Sequence, residues 1–228
     1  MYMNVNFSAP LGMLAFLGMA FLLAVAAALL LYLLIRRYFA RARLVVLAAI
    51  AIGVVYLSAV LAFSFSSSEQ ILSRGQEKHF CELDCHLAYS IDKVSQLKTL
   101  GNAPQQVAAT GMFTLVTVKT RFDEKTIGPN RGNGRLYPNP RSFTLVDDQG
   151  RSYAVSPAGR QALESAAATG TPITTPLRPG ESYTTTLAFD LPAEVKSPTL
   201  LINESDWITH FIIGHENSPL HRKTRFQL

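Results

Sequence analysis

Acidic residues are missing from the first 64 positions of this 228-residue chain, and charge of either sign is missing from residues 10–35 and 44–64. Each uncharged stretch has the ~20 apolar residues needed to cross a ~30 Å hydrocarbon core. Two such stretches argue against buried core helices of a soluble protein. No Asp, Glu, Lys, Arg or His lies inside either one, which argues against a proton relay or an ion path. The first stretch is also no cleaved signal peptide, because no positive residue precedes it and it is too long for an h-region. Walker loops, dinucleotide fingerprints and HExxH are all absent, so a hydrolase has no motif to stand on. Cysteine is scarce, with two in the chain, and tryptophan scarcer, with one.

Positive charge is present and concentrated. Arg36, Arg37, Arg41 and Arg43 fill the short stretch between the two apolar segments. Short loops rich in Lys and Arg stay cytoplasmic. The expectation is a transmembrane helical hairpin over residues 1–64, with spans 10–35 and 44–64 and a cytoplasmic loop at 36–43. Both termini and everything after about residue 65 then lie outside, on the periplasmic face of a bacterial inner membrane. The chain carries 21 Lys+Arg against 16 Asp+Glu, and residues 1–64 hold four of the arginines and no acid; the remainder is therefore 17 minus 16, or +1. The high pI reports topology, and no basic surface points to nucleic acid. Small residues recur in both spans, at Gly12, Gly18, Ala24 and Ala27 and at Ala48, Ala51, Gly53 and Ala59. Such positions favour close packing of the two helices in lipid.

The remaining residues are enough for one domain with its own core. Residues 65–79 read as a juxtamembrane linker, with a continuation of the second helix through Ile71 and Leu72. From there the pattern turns to period two. Leu87, Tyr89 and Ile91 share a face; so do Val116, Val118 and Phe122, with Phe113 and Leu115 opposite. Residues 142–155 read as two strands around an Asp-Asp-Gln-Gly turn. Residues 181–190 alternate, and 198–202, 207–213 and 222–228 read as further strands. One helix is expected at 157–168, with Pro157 in its first turn. Short strands at this spacing suggest an all-β sandwich over residues 80–228.

Three stretches carry a resemblance: Leu145–Tyr153 as L-V-D-x-x-G-x-x-Y, Pro179–Glu181 as P-G-E, and Phe189–Pro192 as F-D-x-P. In this order they resemble a bacterial family of extracytoplasmic immunoglobulin-like domains of unknown function, often tethered by a lipid anchor or a membrane helix. The resemblance covers roughly residues 86–228 and implies an immunoglobulin-like sandwich behind the hairpin. It brings no catalytic residues, and fold alone does not give function.

The chemically loaded motif is Phe-Cys-Glu-Leu-Asp-Cys-His, residues 80–86. On a strand, Cys81 and Cys85 would lie ~13 Å apart, too far to bridge, so the motif must turn or coil if its sulfurs act together. In an oxidising compartment the first reading is a structural disulfide, Cys81 to Cys85. A copper site using Cys81, Cys85 and His86 is the second, since soft thiolates and imidazole suit copper. His79, His210, His215 and His221 are further ligand candidates for it. The third is haem c, because Cys-x-x-x-Cys-His resembles a rarer attachment motif; Met112 is the one methionine beyond residue 19 that could serve as a partner ligand. Free or redox-active thiols complete the set. Two basic stretches offer contact residues: Arg131, Arg135 and Arg141 in a Gly/Pro/Asn-rich loop, and His221–Arg225 near the C-terminus. The sequence thus reads as a non-enzymatic, membrane-anchored accessory domain that docks on another membrane protein or complex, with redox, copper or haem chemistry as the competing class.

Overall fold

The computed structural model describes residues 2–81, 86–102 and 106–228. These fall into two compact units. One comprises residues up to Asn4, Glu69–Asp206 and Lys223–Leu228; the other comprises Val5–Ser68 and Trp207–Arg222.

In the second unit, helices α1 (Ala9–Ile35) and α2 (Phe39–Phe65) pack together. Both are apolar all round, and both are long and apolar enough to cross a membrane. Ser8 precedes the first helix and Pro10 occupies its first turn, where a missing N–H costs nothing. The turn between the helices is shorter than the expected loop. Arg37 adopts a left-handed backbone (φ 56°), and Tyr38 N–H returns to Leu33 O at 2.8 Å. Arg41 and Arg43 therefore belong to the first turns of α2, not to the loop. The small residues also behave differently from the expectation. A Cβ added at Gly18 or Gly53 would meet nothing within 4 Å. Gly18, Ala51 and Ala59 instead line a groove of about 610 Å³ between the helices.

The first unit is a β-rich domain of two five-stranded sheets. Among the described residues the strands are β1 (Tyr2–Met3), β2 (Gln70–Leu72), β3 (Lys78–Phe80), β4 (Leu87–Leu100), β5 (Val107–Phe122), β6 (Arg141–Val146), β7 (Ser152–Ala154), β8 (Ser182–Leu191), β9 (Thr199–Glu204) and β10 (Thr224–Gln227). One sheet has the order β1-β3-β4-β5-β8, the other β2-β10-β9-β6-β7. Their inner faces share one core, with Tyr89, Val116, Val118, Phe122 and Phe189 from the first sheet and Leu72, Leu145, Leu200, Ile202 and Phe226 from the second. Helix α3 (Pro157–Ser165) begins where expected. Ser156 Oγ accepts from Gly159 N–H at 3.2 Å, and Ala162 and Leu163 pack with Phe113 and Ala188 in a smaller cluster.

Three expectations change. Residues 65–79 are not a linker, and α2 ends at Phe65 rather than continuing through Ile71 and Leu72. Gln70–Leu72 pairs in parallel with β10, and Leu72 is 1% exposed. Residues 207–213 form no strand; Trp207–Phe211 is a 3-10 helix, which the in-phase aromatics imitate at short range. The N-terminal residues also enter a sheet. Tyr2 faces Lys78 and Met3 faces His79 in a parallel pair.

The recurring motifs act as turns and strand ends. Asp147 accepts backbone N–H groups from Gln149 and Arg151, and its second oxygen takes Arg151 Nε at 2.6 Å and Tyr153 Oη at 3.0 Å. That explains the spacing of aspartate, glycine and tyrosine in this hairpin. Asp190 accepts from Thr110 and Gly111 N–H, fastening the neighbouring strand beside Phe189.

Phe189 has no exposed surface. Phe189→Ala should destabilise the β unit by about 3–5 kcal/mol in denaturant unfolding. A fragment starting at residue 69 should unfold at higher denaturant than one starting at 86, because the shorter piece lacks Leu72, Lys78 and Phe80.

Candidate functional site

Strand β3 places three consecutive buried residues, Lys78, His79 and Phe80, at 0%, 4% and 4% exposure. Period-two geometry sends them to alternate faces. Lys78 and Phe80 point into the core, and His79 points to the opposite face.

On the core side, Lys78 Nζ donates to Ile202 O at 3.1 Å and to Thr224 O at 3.2 Å, so it reaches from one sheet to the backbone of the other. Its ammonium lies 4.8 Å from the centre of the Phe80 ring, and the Arg141 guanidinium lies 4.6 Å from the same ring. Arg141 pairs with Glu204 across β6 and β9 at 3.6 Å, and Asn4 Nδ2 donates to Glu204 Oε1 at 2.9 Å. Asn4 Oδ1 accepts from Cys81 N–H at 2.8 Å. The N-terminal segment thus joins the charged end of the core to the first cysteine.

On the other face, His79 Nε2 donates to Asp123 Oδ2 at 3.1 Å. Arg121 Nη1 reaches Asp123 Oδ1 at 3.2 Å, and its Nε and Nη2 clamp Glu77 at 2.7 Å each. Burial alone would raise the Asp123 carboxyl. The hydrogen bonds from Arg121, His79 and Lys125 N–H outweigh it and hold the group at about 2. Nδ1 of His79 is buried without a hydrogen-bond partner.

Cys81 follows Phe80 and His86 precedes Leu87, and Phe80 and Leu87 are partners in the antiparallel β3–β4 pair. Cys81 is 1% exposed, and no free cysteine is among the described residues. Cys85 lies outside the described residues, and so do the pairing Cys81–Cys85 and the three-residue ligand set with His86. His86 itself is 4% exposed. Its Nδ1–H donates to Thr126 Oγ1 at 2.6 Å, and its ring stacks 5.2 Å from Phe122. Among the described residues no three His, Cys, Asp or Glu side chains are grouped to hold a metal ion.

The three arginines expected at a partner contact do not form one patch. Arg131 stacks 5.5 Å over the Phe122 ring and bonds Gly134 O, whereas Arg135 is exposed. Arg141 is the correction: its side chain is 3% exposed and committed to Glu204 and Phe80. The loop reading failed there because Arg141 opens β6 and points inward.

No protein-family model and no curated protein matches this chain. Three solved structures resemble part of it. A conserved hypothetical protein from Bacillus anthracis is 13% identical over 51% of this chain and 80% of its own, with TM-score 0.39. The secreted protein MPT63 from Mycobacterium tuberculosis is 13% identical over 71% and 98%, with TM-score 0.39. The yjhA protein from Bacillus subtilis is 14% identical over 69% and 99%, with TM-score 0.42. Likenesses this weak carry no argument about this chain.

The Asp123 network has a pH signature. A carboxyl depressed in the folded state contributes stability above its unfolded pKa, near ~3.9, and loses it as pH falls towards about 2. Asp123→Asn should flatten that acid limb in pH-dependent unfolding. It should also cost on the order of 2 kcal/mol at neutral pH, where charge-assisted hydrogen bonds are lost. An unchanged acid limb would show that another carboxylate sets it.

Proposed function

We propose that the protein is a membrane-anchored, extracytoplasmic accessory domain, non-enzymatic, that docks on another membrane protein or complex. The observation that carries this reading is the pairing of Tyr2–Met3 with Lys78–His79. Residues before α1 and after α2 join one sheet, which supports a hairpin whose two ends lie on one side of the membrane. The arginine-bearing turn then faces the cytoplasm by the positive-inside rule. The two sheets around one core support an immunoglobulin-like arrangement, with β1 and β2 as parallel additions at the edges. The proposal includes a disulfide, Cys81 to Cys85, that closes the β3–β4 reversal and thereby fixes the strand that holds Lys78 and His79. Copper or haem held by Cys81, Cys85 and His86 is the competing reading, and the unpartnered Nδ1 of His79 on the neighbouring strand is the feature that favours it.

Accessibility labelling tests the topology. In a Cys81→Ser, Cys85→Ser background, Phe39→Cys should react only after the membrane is permeabilised, and Tyr137→Cys should react in intact cells. The reverse pattern sinks the model. Intact mass spectrometry should show a gain of two hydrogens on reduction of the native chain. A haem-sized adduct with a Soret band, or stoichiometric copper in the native spectrum, would replace the accessory reading with the redox or metal one. In mild detergent the native protein should migrate in a complex larger than itself; migration as a lone monomer counts against docking.

A further inference from the structure

Residues 207–222 lie between β9 and β10 in sequence but cluster with the two apolar helices. Tyr56 Oη, on α2, donates to Phe211 O at 2.7 Å. Asn6 N–H donates to Gly214 O at 2.8 Å, Val5 bridges His215, and Arg222 N–H reaches Ser67 Oγ at 2.9 Å. Gly12 on α1 is tight against this segment, since an added Cβ would lie 3.0 Å from Ile213 O. Gly214 has φ +75°, and a Cβ there would lie 2.4 Å from Phe7 Cβ.

The level of attachment is informative. Each helix has 27 residues, about 40 Å at 1.5 Å per residue, against a hydrocarbon core of about 30 Å. About 20 residues counted from the bounding arginines, Arg36 on the α1 side and Arg43 in α2, reach Phe16 on α1 and Phe63 on α2. Gly12 and Ser67 lie outside that boundary and Tyr56 about two turns inside it, so the segment attaches across the level where the helices would leave the hydrocarbon.

Its surface and its backbone both suit that level. The exposed residues from 207 to 220 are Trp207, His210, Phe211, Pro219 and Leu220. Trp207 and Leu220 are each 68% exposed. The one carboxylate, Glu216, is 2% exposed. Polar backbone at membrane depth is tolerated only when it is satisfied within the protein. Here Ile212 O accepts from Ser218 Oγ and His215 N–H, Asn217 N–H donates to His215 Nδ1, and Asn217 Nδ2 donates to Thr209 Oγ1. An ordinary surface loop would leave such groups to water. Trp and Phe meet edge to face at 5.9 Å, a compact aromatic pair of the kind that settles at headgroup level.

We propose that residues 207–222 form a third membrane-contacting element, seated in the outer leaflet's interfacial layer, with Trp207, Phe211 and Leu220 inserted among lipids. The inference rests on the reading that α1 and α2 cross the membrane. Its ligand is the phospholipid surface, and its role is to bind the soluble part to the bilayer at a second point.

Trp207 is the sole tryptophan of the chain, so its fluorescence reports this element alone. The full chain is reconstituted in phosphatidylcholine/phosphatidylglycerol vesicles. A control carries Trp207→Phe with Tyr137→Trp, at a position 69% exposed in the β unit. Trp207 should emit to the blue of the control and be several-fold less quenched by acrylamide. Lipids brominated high on the acyl chain should quench it more than lipids brominated near the chain end. Gly214→Val, which disrupts the attachment, should move acrylamide quenching towards the control without loss of helix content. Acrylamide quenching equal to the control, with no quenching by brominated lipid, overturns the inference, as does strongest quenching from the chain end. If the protein still resists carbonate extraction, the two-helix anchor survives that result. Release by carbonate overturns both.

Discussion

The backbone pairing between Tyr2–Met3 and Lys78–His79 is the constraint on which the rest depends. It joins residues separated by both apolar helices. Closing a loop of that length between flexible ends carries an entropy cost that grows with its logarithm. The helices reduce it. Asn6 Nδ2 donates to Phe63 O at 2.7 Å, and the Phe7 and Phe63 rings lie 4.6 Å apart, so the hairpin brings its own ends together. Two residues of strand would be too little to hold a terminus by themselves. They suffice because Asn4 adds bonds to His79 O, Glu204 and Cys81.

Strand β3 lies between β1 and β4, and its neighbours explain how it tolerates charge on both faces. Lys78 is fully buried yet donates to two carbonyls and faces an aromatic ring. His79 is buried yet paired with a carboxylate that Arg121 also holds. Buried ionic groups are destabilising when they lose a partner and close to neutral when fully paired. They therefore add less to stability than to register. A one-residue slip of β3 would turn Lys78 away from Ile202 O and Thr224 O and push His79 into the apolar core. The Cys81 position follows from that register, since it comes directly after Phe80.

Much of the architecture was legible before the structure. The uncharged stretches gave both helices to within a few residues, and alternation gave β5, β6, β8 and the Asp147 turn. Pro157 marked α3 because the fit of proline to a first helical turn is local chemistry. What the sequence hid was non-local. Tyr2–Met3 and Gln70–Leu72 are too short to carry a period, and each becomes a strand through a partner distant in sequence. Lys78 fell in the stretch read as a linker, and only the second sheet supplies the carbonyls that bury it. Trp207, Phe211 and Ile213 alternate well enough to pass for a strand, but their backbone follows a 3-10 turn that ties to α1 and α2. Arg141 belonged to a polar loop by composition, while its register opposite Glu204 turned it inward. Glu77, Arg121 and Asp123 were missed as a group for the same reason: only the pairing of β3, β4 and β5 puts them on one face.

The interruption between β9 and β10 follows from these same constraints. A connection from Glu204 to Thr224 within one sheet needs only a few residues, because β9 and β10 are antiparallel neighbours. The chain spends nineteen, counting 205 to 223, and most of the stretch from Thr209 to Ser218 is buried. Long loops inside a compact domain have a role of their own or lack structure. This one has structure, since its carbonyls and amides bond within the segment or to the helices. Gly12 and Gly214 provide the space that lets its backbone approach α1 and the Phe7 segment. A segment with its polar groups turned inward and Trp207, Phe211 and Leu220 turned outward has the polarity of a protein surface that faces lipid. In water the same arrangement would leave Trp207, Phe211 and Leu220 exposed while Thr209, His215, Glu216, Asn217 and Ser218 stay buried.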